Sequence, residues 1–127
     1  LLPGAMIAGI SAVHAAGWTT QIPADIDLVV PARRSCPELY GFRVSTRGRD
    51  WFSRARDAIV RDGPVPMVAP AFALADLWVT GDWRPDPDDI EWDLVDADAL
   101  RAAFDDVGLD VPEAWDAEIS DISVSGP

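Results

Sequence analysis

Apolar and polar residues change period several times along this chain, and each change marks an element. Ile10, Val13 and Gly17 stand at i, i+3 and i+7, with Ala12, Ala15 and Ala16 keeping the other sides small. That spacing predicts a close-packing helix that stops at Gly17. Ile26 to Val30 then alternates as a strand does, with Ile26, Leu28 and Val30 on the apolar side and Asp25, Asp27 and Val29 on the other. Pro31 ends it, because proline cannot donate to a ladder. Tyr40 to Ser45 is a second predicted strand. Ala58–Arg61 and Val65–Ala69 flank Asp62-Gly63-Pro64, a hairpin signal, and Pro66 places the second arm at an edge or gives it an irregular start.

Pro70 suits the first turn of a helix running to about Val79. That helix is apolar almost all round except at Asp76, so it is expected to be buried. After a proline- and aspartate-rich loop, Ile90 to Val95 alternates again and predicts a strand. Asp96 or Asp98 caps a final amphipathic helix, whose stripe is Leu100, Ala103, Phe104 and Val107 and whose stop is Gly108. The order of elements predicts an α+β fold with a small mixed or antiparallel sheet flanked by three helices. Residues 1–112 form the expected single domain. Residues 113–127 are acidic and weakly patterned, and are expected as a C-terminal tail or docking segment.

Length and composition change this picture little: 127 residues suit one domain. The single cysteine, Cys36, precludes an intrachain disulfide and fits a reducing cytoplasm. No apolar run is long enough to span a membrane, so no membrane partner is expected. The opening LLPGAMIAGI is short and lacks a positive flank, unlike a signal peptide. The chain starts at Leu1 rather than methionine, which leaves room for upstream residues.

Charge changes the picture more. Residues 33–61 hold eight arginines against Glu38, Asp50 and Asp57, a local charge of +5, whereas residues 76–121 hold sixteen acids against Arg84 and Arg101, a local charge of −14. Any acidic partner is therefore expected at the arginine segment, with Arg33, Arg34, Arg47, Arg49, Arg54 and Arg56 as binding residues.

Two motifs carry candidate chemistry. Asp25-Ile26-Asp27 sets two carboxylates about 7 Å apart along one strand face. Such a pair can hold Mg²⁺ and a nucleotide triphosphate when a third carboxylate, here Glu91 or Asp93, joins from a neighbouring strand. The stretch DIDLVV resembles the metal strand of nucleotidyltransferases, but no Gly-Ser phosphate-binding element precedes it. The other reading is a structural strand with its acids in water, needing no metal or other cofactor. Asp76 is the second motif. In so apolar a helix it requires a partner, and an arginine of the 33–61 segment is expected to supply one in a structural pair. His14 stands alone, and the zinc, P-loop and GxSxG signatures are absent. Of the six tryptophans, Trp83 and Trp115 lie in acidic, loop-like surroundings and could mark a contact surface.

Three blocks together resemble the C-terminal domain of the AbiEi-type antitoxin family of type IV toxin–antitoxin systems. They are Ser11-Ala12 to Gly17, Thr20-Gln21-Ile22-Pro23 leading into a strand that ends at Val30-Pro31, and Pro70 to Leu77 with its Leu-Ala-Asp-Leu ending. Their order and spacing match over residues 4–80. The chain departs from the pattern at Ala71-Phe72, where the family has charged residues, and at Asp25 and Asp27, where a more neutral strand is expected. The resemblance implies a non-enzymatic antitoxin or transcriptional regulator, functionally paired with a nucleotidyltransferase toxin. Family members usually carry a DNA-binding winged helix upstream. DNA contact is accordingly expected through a region before Leu1 or through the arginine segment. The Mg-dependent nucleotidyltransferase reading, with Asp25, Asp27 and Asp93 as its residues, stays beside it.

Overall fold

The computed structural model describes residues 4–31 and 40–125, with side chains described as far as Ile119. Among the described residues five strands form one mixed sheet: β1 (Met6–Ile7), β2 (Ile26–Pro31), β3 (Phe42–Arg47), β4 (Ile59–Arg61) and β5 (Met67–Val68), in the order β3-β2-β1-β5-β4. β2 runs parallel to β3 and β1 parallel to β5, while the β1–β2 and β4–β5 pairs are antiparallel. This is the α+β class that the residue pattern predicts.

The expected helices are present as α1 (Gly9–Ala15), α3 (Pro70–Thr80) and α4 (Ala97–Asp106). Their ends follow local chemistry. Pro70 occupies the first turn of α3, and Gly81, left-handed at φ +75°, closes it by donating its N–H to Leu77 O at 2.8 Å. The Asp96 carboxylate caps α4 by accepting the Ala99 N–H at 3.1 Å. α3 is the central helix: Ala73, Leu74, Ala75, Asp76 and Leu77 are all buried. Among the described residues no helix is long and apolar enough to cross a membrane.

Two further helices add to the three expected. α2 (Arg49–Arg56) buries Trp51, Phe52 and Ala55, and Trp51 meets Phe72 of α3 edge-on at 5.2 Å. Residues within the segment expected as a tail or docking segment form α5 (Glu113–Ser125). Trp115 and Ile119, one turn apart, are fully buried, and the Trp115 ring packs edge-to-face on Trp78, Trp92 and Phe104 at 4.9–5.9 Å. Trp115 is therefore core rather than contact surface. One large aromatic in such a ring removes enough apolar area from water to dock an otherwise acidic helix.

The strand expected at 90–95 is also corrected. Pro87–Asp89 and Trp92–Leu94 are short 3-10 turns, and Ile90 makes only an isolated bridge to Thr19. Asp86 and Asp89 cap each other's backbone, which favours a turn over a ladder. The alternation has a different origin: Ile90 and Val95 are buried anchors of a loop whose Leu94 faces solvent.

Candidate functional site

β2 presents its aspartate face to the helices, not to water. Asp27 and Val29 share that face and are both buried, whereas Ile26 on the other face is 44% exposed. Leu28 and Val30 are buried as well, so the strand is covered on both sides. The parallel register sets Asp27 opposite Arg43, Val29 opposite Ser45 and Pro31 opposite Arg47. Residues 43, 45 and 47 therefore continue the same face. Asp76 and Leu77 of α3 border it, and a cleft of about 250 Å³ lies between them and the strands.

Asp27 is surrounded by donors. Arg43 Nε lies 3.2 Å from Oδ1, and the Ser11 N–H donates to Oδ2 at 3.3 Å. The Ile10 N–H also supports the charged form. In return the Asp27 N–H donates to Ser11 Oγ at 2.9 Å. α1 lacks a side-chain cap of its own at Ala8, and Asp27 supplies one from across the sheet, satisfying N–H groups that the first turn leaves free. The approach is close enough to require glycine. A Cβ on Gly9 would stand 2.7 Å from Asp27 Oδ2, and Gly9 has φ +60°. Burial pushes the Asp27 carboxyl above its ordinary value, and the opposing pull of Arg43 and of the Ser11 and Ile10 N–H groups does not cancel that rise.

Asp76 accepts three hydrogen bonds. Arg47 grips it with Nε to Oδ1 at 3.2 Å and Nη2 to Oδ2 at 3.0 Å, and the Trp51 indole N–H donates to Oδ1 at 3.0 Å. Arg47 Nη1 donates to Thr46 O at 2.8 Å. This one cluster joins the end of β3, the first turn of α2 and the middle of α3. The Arg47 side chain is only 18% exposed. A two-pronged guanidinium grip of this kind fixes orientation as well as charge.

Of the six arginines expected to bind, Arg33 and Arg34 lie outside the described residues. Arg49, Arg54 and Arg56 are exposed on α2. Arg49 and Arg56, seven apart, share one side of the helix, while Arg54 turns toward α3 and sits 5.6 Å above the Phe72 ring. Arg47 departs from the group: it faces inward and is committed to Asp76.

The metal reading meets a donor set that does not suit it. Both Asp27 oxygens already face N–H groups, one of them on a cation. Asp25 precedes β2 and is exposed, and its carbonyl accepts a 3.5 Å bond from Ser11 Oγ. Glu91 and Asp93 are exposed on the segment held by the Glu91 N–H to Trp18 O bond. Among the described residues, no three histidine, cysteine, aspartate or glutamate side chains gather as a metal would need. Magnesium takes oxygen ligands in near-octahedral array, and a guanidinium against the principal carboxylate opposes it.

Arg43, Ser11, Gly9 and Trp51 complete these clusters, and sequence reasoning gave none of them a role in a site. The available signals were Gly9 at a helix start and an arginine two residues into the second strand. Neither identifies a partner sixteen or more residues away. No family model matches this chain, and no curated protein matches it significantly.

Proposed function

We propose that this chain is a non-enzymatic binding domain of the antitoxin or transcriptional-regulator class, functionally paired with a nucleotidyltransferase toxin. The carrying observation is the state of Asp27. The one carboxylate of Asp25-x-Asp27 that lies on the sheet face caps α1 and pairs with Arg43, so the strand that could have served a metal serves the scaffold. The antitoxin class itself rests on the resemblance over residues 4–80. In this reading the exposed α2 arginines, with Arg33 and Arg34, carry the partner contact, and any operator DNA is met there or through an upstream region.

Two assays test it. Incubation with Mg²⁺, each nucleoside triphosphate and protein or RNA acceptors should give no transfer. Transfer abolished by Asp27→Asn in a folded protein would replace this reading with the magnesium-dependent nucleotidyltransferase. Co-expression with a nucleotidyltransferase encoded beside this chain should restore growth; persistent arrest with both proteins present rejects the antitoxin role.

A further inference from the structure

The cleft of about 250 Å³ between the β2–β3 face and α3 holds more hydrogen-bonding capacity than its two ion pairs use. Arg47 is fully engaged: Nε and Nη2 hold Asp76, and Nη1 donates to Thr46 O. Arg43 is not. Its Nε faces Asp27, its side chain is 54% exposed, and its Nη1 and Nη2 groups make no hydrogen bond among the described residues. Ser45 follows two residues along the same face, about 6–7 Å on, and lines the cleft with a hydroxyl that is likewise unpartnered there. From the α3 side, Gly81 turns the chain at φ +75°, and the next residue, Asp82, lines the cleft. Only the Asp82 N–H is engaged, with Thr80 Oγ1 at 3.3 Å; its carboxylate accepts nothing among the described residues. Gly9, Val29 and Leu77 supply apolar wall.

These spare groups discriminate between ligands. A simple oxyanion finds the Arg43 donors, but it also meets the carboxylates of Asp27, Asp76 and Asp82 against only two guanidinium groups. A simple amine finds Asp82 and leaves the Arg43 and Ser45 donors unused. A molecule with both a carboxylate and an ammonium uses every spare group and adds no net charge. The planar end of a guanidinium suits a carboxylate in particular. Volume sets the size. At about 30 Å³ for each water-sized group, a cleft of about 250 Å³ holds roughly eight non-hydrogen atoms.

We propose that this cleft binds a free α-amino acid with a small aliphatic side chain. Its carboxylate sits on Arg43 Nη1 and Nη2 and Ser45 Oγ, its ammonium on Asp82, and its side chain against Val29 and Leu77. The site is separate from the exposed α2 arginines to which the partner contact is assigned above.

The test is calorimetric titration of the full chain with glycine, alanine, valine and leucine. Each is run beside its methyl ester, which lacks the carboxylate, and its N-acetyl form, which lacks the ammonium. Alanine or valine should bind, and both of its blocked forms should be weakened about tenfold or more, as expected for lost hydrogen bonds to charged groups. Asp82→Asn changes an exposed carboxylate outside both ion pairs; it should unfold like the parent and weaken binding about tenfold. Arg43→Lys keeps a charge beside Asp27 but removes the fork, and should weaken binding to a similar degree. No saturable binding by any of the four, blocked forms that bind as well as the free amino acid, or binding indifferent to both substitutions overturns the proposal. Tighter binding of inorganic phosphate than of the amino acids overturns it in favour of a simple anion site. Growth rescue in co-expression is an independent readout: rescue without amino-acid binding removes only the cleft site, and amino-acid binding without rescue removes only the antitoxin reading.

Discussion

Replacing Asp76 with alanine removes the acceptor for three donors at once. Arg47 Nε and Nη2 and the Trp51 indole N–H all point at a carboxylate that is 7% exposed. The Arg47 side chain is only 18% exposed, so most of it stays away from water when its partner is lost. Breaking one half of a buried ion pair costs about 3–5 kcal/mol. The orphaned indole N–H keeps Asp76→Ala toward the upper end, since an unsatisfied buried donor costs about 1–3 kcal/mol alone and such terms do not simply add. Total stability in domains is about 5–15 kcal/mol, so the loss is a large fraction of it. The expected fall in Tm is roughly 10–20 °C for a chain of this size. Asp76→Asn keeps one oxygen but turns its NH₂ toward a donor in either orientation, so it should fall between, at about 1.5–3 kcal/mol. Exposed Asp106→Ala should stay within about 0.5 kcal/mol of the parent. Arg47→Met combined with Asp76→Leu should recover most of the loss, because both charges leave together. Urea denaturation followed by tryptophan fluorescence and by circular dichroism measures all four variants at constant m-value. If Asp76→Ala unfolds within 1 kcal/mol of the parent while partner binding disappears, Asp76 is a binding residue and the structural account of the cluster is wrong; that threshold is about the net worth of one ordinary hydrogen bond.

Asp27 should behave in the opposite way. Its folded-state pKa lies above the ordinary 3.8, so its protonated form favours folding; that contribution is complete below 3.8 and is lost as pH rises through the raised folded value. Asp27→Asn should therefore be no less stable than the parent at pH 7 by more than about 1 kcal/mol, and it should flatten the pH dependence in the weakly acidic range. A larger loss than that of Asp76→Asn, measured by urea titration at pH 4.5 and 7, refutes the assignment. Gly9→Ala adds a Cβ 2.7 Å from Asp27 Oδ2 at φ +60°, and should cost upward of about 1–2 kcal/mol for the backbone alone. In an Asp27→Ala background the steric part should shrink to the 3.0 Å approach to the remaining Cβ of residue 27, and a fully additive double-mutant cycle would show that the two carboxylate-side contacts do not exist. Trp115→Ala should cost about 3–5 kcal/mol; unchanged thermal unfolding would restore the 113–127 segment to a tail.

The legible features are those decided within a few residues. Pro70 and Gly81 bracket α3, Asp96 caps α4, and Asp62-Gly63-Pro64 joins β4 to β5, each by chemistry confined to one or two turns. α2 was concealed by its arginines, although Trp51, Phe52 and Ala55 already stand at helical spacing. α5 was concealed because its docking depends on a ring of aromatics from three other segments. Asp25-x-Asp27 shows the limit most clearly. Two carboxylates on a strand form a metal ledge if the adjacent strand brings a third, and a scaffold pair if it brings a cation. The parallel register decides between these outcomes, placing Asp27 beside Arg43. A slip of one residue would set Phe42 or Val44 there and turn Arg43 to the other face, since side chains alternate along a strand. The same slip would carry Arg47 away from Asp76, so a single register positions both ion pairs. α1 adds a second constraint, because only a glycine at position 9 lets its first turn descend onto the carboxylate. The chemistry of this motif is thus set by residues on other elements, and the same six letters, DIDLVV, could support either function.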